Sequence, residues 1–533
     1  MKYYNQTNET KSNWKINSFD KLFRKSIFFY WQLQGETPSI SPYTIYDPWR
    51  GKLVNLKNLN SIDPKISNIK NFSSFYWIRD IRDHNKSFSR NLVRNTILDW
   101  FENNKKWDPI QWKPNLISQR ISNLLFTFSW FGNSADDNFQ KSFLSFIFPQ
   151  FRCLSIDWKK MINDLDKLEA LKGLIVTQAF INTSKTEIQS LFEIFLPILQ
   201  GQLNTDGGHN TRQPENHLKF IKIAIECRVA LSNANIENLK ILDQIILKTI
   251  SVCKIWLHGN GEFVHFNYAG KSNPDDIKQI MNWRTSKLKT PNYLPETGFA
   301  KFSSGRNSVI LNTGLNFNDK FYQPSGALAF EFSIGKSKLI VNSGQCSENR
   351  KLKNLLMKTI AHSTLSIDGL NSSDFIKGRH STISNVEIGP AEGGFLASCS
   401  HSGYEQTHGI IHTRKIFLAN GGKDLRGSDK LEYTGAPGEI PSLGIIRFHL
   451  HPFVSARISN RQQVILKIRG QNSGWFFKSK NCKVLLDQSL YLNQGIQTPC
   501  QQIISEISLI NIQSIGEITV NWTFKNLSLK ENE

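Results

Sequence analysis

Between residues 90 and 257 the apolar positions recur three and four apart, the period of a helix with one face turned inward. "RNLVRNTILDWFENN" and "NLISQRISNLLFTFSWFG" show it first, the second closing on Gly132 as a C-terminal cap. The same spacing predicts helices over 136–150, 160–182, 186–203, 214–233 and 236–257, joined by short polar loops. No repeat is visible, but helices alternating with short loops predict stacked helical hairpins. Near residue 290 the period changes. "ALAFEFSIGKSKLIVNSG" alternates in steps of two around Gly335 and predicts a hairpin. "HSTLSIDG", "GFLASCSH", "IIHTRKIFLANGG", "LGIIRFHLHP", "QVILKIRG", "GWFFKSK" and "EITVNWTFK" carry that rhythm to the end. Many short strands without intervening helices imply an antiparallel sandwich. Helices segregated from strands imply separate domains, with a boundary near 275–300.

A chain of 533 residues exceeds what one core supports. Its 65 Lys+Arg against 44 Asp+Glu give a net charge of +21. The charge is dispersed, without a dense basic block. It fits Lys- and Asn-rich coding better than a nucleic-acid arm, so no nucleic-acid partner is expected. The seven cysteines are odd in number and none sits at CxxC spacing, which argues against a disulfide framework or zinc knuckles. The polar start "MKYYNQTNETKSNWKINSF" has no apolar signal core, and no stretch is long enough to span a bilayer.

One polar segment interrupts the helical part. "TDGGHNTRQPENH", Thr205 to His217, stands between two helical patterns and collects hydrogen-bond donors behind a glycine pair. Asp206, Gly207, Gly208, His209, Arg212 and Pro214 fit a DGGH-x-x-R-x-P motif. With it come "ALAFEFSIGKSKLIVNSGQ", "TIAHSTLSIDGLNSSDF", "HSGYEQTHGIIHTRKIFL", "DLRGSDKL", "RFHLHP" and, near the start, "FYWIRDIRD". In these segments the chain resembles the heparinase II/III-like family of polysaccharide lyases. The resemblance implies an α+β multidomain fold: an alginate lyase-like (α/α) toroid over 1–285, then an antiparallel β-sandwich over 286–533, with a substrate cleft between them. It also implies β-elimination on a uronate-containing glycan. Well-known members carry an acidic residue or a Tyr where Thr211, Gln213, Glu215 and Asn216 stand here.

Elimination removes the C5 proton beside a carboxylate, so the site needs donors to that carboxylate, a base, and an acid for the leaving oxygen. By resemblance, His209, Tyr268 and His362 are the catalytic candidates, with His265 in reserve. Asn210, Arg212, Gln213, Tyr404 and His412 are the substrate-binding candidates, Arg212 as a planar fork for the acidic group. The competing reading of the motif is a glycine C-cap whose His209 and Arg212 bond backbone carbonyls. His401, His408 and His412 with Arg414, and also Asp374 and His380, raise a structural zinc in the sandwich; His449 and His451 share a strand face but read as packed histidines. Trp100, Trp107, Trp112, Trp130 and Trp256 could stack sugars, though each reads first as core. The expected partner is an acidic polysaccharide or oligosaccharide, with a homodimer as the assembly to test. The expected location is cytoplasmic by sequence, and periplasm or cell envelope by resemblance. Two rivals remain: an (α/α) glycoside hydrolase using Asp206 and Glu215, and a non-catalytic glycan-binding or envelope-assembly protein on the same scaffold.

Overall fold

The computed structural model describes residues 14–36, 45–52, 72–84, 90–181, 184–267, 269, 272–283, 289–314, 324–344, 349–374, 379–435, 438–459 and 463–528. Two compact units emerge from the packing: Met1–Leu203 with Lys219–Leu247, and Asn204–Leu218 with Lys248–Glu533. The polar DGGH segment therefore belongs with the strands.

The first unit is helical. Pro114–Phe131 opens with proline at its first turn, where no backbone N–H is needed, and is buried nearly all round. Asp137–Asp157 starts at an Asp136 cap, whose side chain accepts from Phe139 N at 2.7 Å. It continues through Pro149 and runs seven residues beyond the predicted end at 150. Asp164–Ile181 is again buried nearly all round, with Lys172 paired to Glu169 at 2.6 Å inside the core. Arg90–Asn103 and Lys185–Gln200 also follow the spacing, as do Pro214–Asn233 and Lys240–Cys253, whose residues are divided between the two units. Trp100, Trp107 and Trp112 are buried in this core, which makes them packing residues. The "WIRDIRD" stretch is a helix, Trp77–His84. Its Arg79 is fully buried on Asp47 (2.9 Å) and Asn123 Oδ1 (2.5 Å), so the motif serves as a charge clamp.

The second unit is built on two antiparallel sheets. One runs Tyr293–Leu294, Phe299–Ser304, Asn307–Asn312, Phe330–Ile334, Ser337–Val341, Leu443–Leu450, Ile496–Ser508, Lys483–Asn493, with Leu365–Ile367 also paired to Leu443–Leu450. The other runs Val454–Ile458, Val464–Ile468, Trp475–Lys480, Glu517–Asn526, Asp424–Tyr433, Ile410–Ala419, Gly394–Tyr404, Ile383–Ala391. Alternate residues of both sheets meet in one core, in which Phe330 stacks on Trp522 with centroids 5.5 Å apart. The predicted hairpin turns at Gly335, whose φ of +58° suits a residue without Cβ.

Candidate functional site

The DGGH segment is clasped at its base. Asp206 Oδ2 accepts from Glu296 N (2.9 Å) and Thr297 N (2.7 Å), and Oδ1 accepts from Thr297 Oγ1 (2.6 Å) and Gly208 N (2.9 Å). A Cβ on Gly208 would lie 2.0 Å from Thr297 Oγ1, so only glycine allows this approach. The loop then turns through Arg212, a non-glycine residue at φ +58°. Arg212 O accepts from Asn267 Nδ2 at 3.0 Å, and Asn267 itself sits at φ +47°. Two such residues bonded to each other mark strain held in place by tertiary contacts.

Arg212 is buried, and its guanidinium bonds three oxygens of the described residues: Nε donates to Thr297 O (2.7 Å), Nη2 to Gly298 O (3.3 Å) and Asn312 Oδ1 (2.7 Å). Burial pushes it down to about 9. Through these bonds Arg212 braces the loop onto the first strands of the sandwich.

His209 is buried. Its Nδ1 accepts from Thr211 N at 3.2 Å and lies 2.8 Å from Thr211 Oγ1. An Nδ1 that accepts leaves the ring proton on Nε2, so His209 is a neutral donor. Asn216 Nδ2 donates to Thr211 Oγ1 (3.1 Å) and Gln213 Oε1 (2.8 Å), which ties Gln213 into the same network. Asn210 and Gln213 keep part of their surface exposed. Glu215 accepts from Ser272 N at 2.9 Å and from Ser272 Oγ. Tyr268 lies outside the described residues; Asn267 before it and Ser272 after it are both bonded to the DGGH segment.

His362 has the opposite tautomer. Its Nδ1 donates to Lys358 O at 2.9 Å, which leaves the lone pair on Nε2. Burial lowers it to about 4. The path from loop to His362 is short: Asn312, which accepts from Arg212, donates to Gly326 O at 2.9 Å. A Cβ on Gly326 would meet the His362 ring at 2.8 Å.

Tyr404 and His412, the other substrate-binding candidates, are both fully buried in the sandwich. Tyr404 Oη donates to Leu365 O at 2.9 Å. His401 Nε2, His412 Nδ1, His412 Nε2 and Asp429 Oδ1 form a relay at 3.0 and 2.7 Å, and Asp429 pairs with Arg414 Nε at 2.7 Å. Arg414 Nη1 donates to Ser363 O (2.8 Å) and Leu328 O (2.9 Å). Burial alone would raise Asp429, but Arg414 and His412 hold it well below the usual carboxylate range. These groups fix the backbone just after His362. They do not fit a zinc, because His401 Nδ1 accepts from Gly403 N at 3.1 Å and every ring nitrogen of the pair is thereby engaged. Among the described residues no group of three or more His, Cys, Asp or Glu is arranged for a metal. His449 is likewise a packed strand histidine, 2.7 Å from Ser489 Oγ and 3.1 Å from Ile360 O.

Sequence reasoning passed over three sets of residues here. Thr297 and Asn312 have no local signal. His217 follows Asn216 within the quoted segment; its Nε2 donates to Thr249 O at 2.8 Å, and burial lowers it to about 4. Glu331, in the "FEFS" strand, accepts from His258 Nε2 (2.7 Å), His265 N (2.8 Å) and Asn342 N (3.0 Å), while Asn342 Oδ1 accepts from Ser363 N (2.8 Å). That makes Glu331 a second brace behind the His362 segment. His265, the reserve candidate, stacks on Tyr491 at 4.7 Å, and burial lowers it to about 4.

Residues 286–523 match the family described as heparinase II/III-like, C-terminal. The chain carries a heparinase II/III-like domain. The whole chain has the fold of known heparinases. Heparan sulfate lyase HepC from Pedobacter heparinus is 15% identical, with 94% of this chain and 83% of that one covered at a TM-score of 0.61. Heparinase III is 14% identical, with 95% and 90% covered at 0.65. A curated relative, FtsZ-localized protein C of Caulobacter vibrioides, is 23% identical over 455 residues, 81% of this chain and 77% of that one.

Proposed function

We propose that this heparinase-like protein is a polysaccharide lyase that cleaves an acidic, uronate-containing glycan by β-elimination. One observation carries the reading: two buried histidines of the strand-bearing unit are locked in opposite tautomers, His209 offering a proton at Nε2 and His362 a lone pair at Nε2. Elimination needs both kinds of group, a donor for the growing carboxylate charge and an acceptor for the C5 proton. In this scheme Asn210 and His209 take the uronate carboxylate, His362 takes or relays the C5 proton, and Tyr268 protonates the leaving oxygen. The C5–H and C4–O bonds break and a C4=C5 double bond forms; the C5 proton rests on His362, the leaving sugar takes the Tyr268 proton, and proton transfer through solvent from His362 to the Tyr268 phenolate resets the site. A panel of uronate polymers and oligomers, followed for the ultraviolet absorbance of the unsaturated product, tests it. New absorbance on at least one substrate is expected; turnover that releases saturated ends would overturn it.

The hydrolase rival loses ground because Asp206 and Glu215 are both engaged by hydrogen bonds within the unit. The non-catalytic reading, a glycan-binding or envelope-assembly protein, has two specific supports: His209 is fully buried, and a relative is named for its localisation with FtsZ. Measurable glycan affinity without turnover on the same panel would favour it.

A further inference from the structure

The helices Ser18–Phe23 and Ile27–Gln32 are anchored from one side only. Between them, Arg24 is buried with Nη2 2.5 Å from Asp157 Oδ1 and its guanidinium 5.2 Å from the Trp14 ring and 5.1 Å from the Phe29 ring. Phe29 and Leu33 are buried beside it. Ordinarily the opposite side of such helices is polar. Here Phe19, Leu22, Ile27, Phe28 and Trp31 are 69–77% exposed, and Phe23 is 38% exposed. Among the described residues no other stretch of similar length leaves as many large apolar side chains in water. Burial elsewhere does not explain them, because the anchored side already has its own apolar set.

The exposed charges of the two helices and the turns beside them are mainly basic, with Glu36 exposed beyond the second helix. Lys15, Lys21 and Lys25 are exposed. Asp20, the only acidic residue from 14 to 35, is held by its own helix cap and by Lys160 at 3.2 Å. Phenylalanine, leucine, isoleucine and tryptophan bordered by lysines is the composition of segments that lie in a bilayer interface. Among the described residues no helix is long and apolar enough to cross a membrane, so such contact would be peripheral. The three exposed lysines bordering the apolar set favour an anionic surface. A protein partner would have to match each ammonium in register, whereas a headgroup layer meets them without one.

We propose that this face docks on an anionic lipid surface, with Phe19, Leu22, Ile27, Phe28 and Trp31 among the acyl chains and the three lysines at the headgroups. The proposal does not depend on the lyase reading. The test uses the full chain with phosphatidylglycerol–phosphatidylcholine vesicles, phosphatidylcholine vesicles, and brominated lipid as a fluorescence quencher. Sedimentation with the anionic vesicles is expected. Ile27→Glu/Phe28→Glu, at exposed positions and with unchanged melting, should lower partitioning by at least roughly tenfold. Lys21→Glu and Lys25→Glu should each lower it on the order of fivefold. Trp31→Phe should remove most of the lipid-dependent quenching. The proposal is overturned if the wild-type chain ignores anionic vesicles at low salt, or if Ile27→Glu/Phe28→Glu binds them unchanged. Lipid-free self-association that this double substitution abolishes would also overturn it, and would make the face an interface between copies.

Discussion

Replacing Arg212 by lysine separates a brace from a substrate ligand. The guanidinium reaches three acceptors at once: Thr297 O at 2.7 Å, Gly298 O at 3.3 Å and Asn312 Oδ1 at 2.7 Å. Lysine keeps the charge but offers a single ammonium, which cannot reproduce the fork. At least one buried carbonyl loses its donor, at about 1–3 kcal/mol for an unsatisfied group, and a charge-assisted bond is lost besides. The expected destabilisation is about 2–4 kcal/mol for Arg212→Lys, and at the top of that range or above for Arg212→Leu. The loss should be local first. Amide exchange across residues 294–299, where Asp206 and Arg212 fasten the strand start, should accelerate before the rest of the unit responds. Urea melts followed by tryptophan fluorescence, together with peptide-resolved exchange, measure both effects. If Arg212→Lys melts and exchanges like the wild type but loses glycan affinity, the bracing argument is wrong and Arg212 belongs to the binding surface.

Three further outcomes follow from the same geometry. Asp429→Asn removes the carboxylate that holds buried Arg414 and His412, and should destabilise the sandwich by about 3–5 kcal/mol in chemical melts; a loss below about 1 kcal/mol would contradict the relay. Burial lowers His217 and His362 to about 4 from an ordinary value near 6.5, so their stabilising contribution is complete above that ordinary value. It falls as pH drops toward 4, by up to about 3 kcal/mol each, because the unfolded chain takes up the protons first; melting that is flat from pH 7 to 4 would refute this. Thr211→Val deletes the hydroxyl 2.8 Å from His209 Nδ1 and 3.1 Å from Asn216 Nδ2, and should reduce turnover on the order of tenfold while shifting melting little; unchanged turnover would detach Thr211 from the site.

Much of the fold was legible because periodicity is a direct imprint of burial. The switch from helical spacing to alternation near residue 290 marks where the strands begin, at Tyr293. Alternation in "IIHTRKIFLA" places Ile410, His412, Arg414, Ile416 and Leu418 on one buried face, so the inward turn of His412 could have been read from it. Its histidine composition suggested a ligand instead. The hairpin Lys483–Asn493 with Ile496–Ser508 was not named, since many of its side chains face water and its apolar alternation is thin. Helix Asp137–Asp157 ran past Pro149 because packing of its apolar face outweighs the missing backbone bond. At the site, the glycine pair and the imidazole after it were visible as a motif. The partners of Arg212 were not, because Thr297 and Asn312 lie 85 and 100 residues away and nothing local announces them.

The most direct measurement compares His209→Ala with the wild-type chain on whichever uronate glycan gives new ultraviolet absorbance. With the imidazole removed and melting retained, the proposed mechanism predicts that formation of the unsaturated product falls by at least roughly a hundredfold. Product formation at the wild-type rate in a folded His209→Ala protein would contradict the assignment of the carboxylate to that side chain.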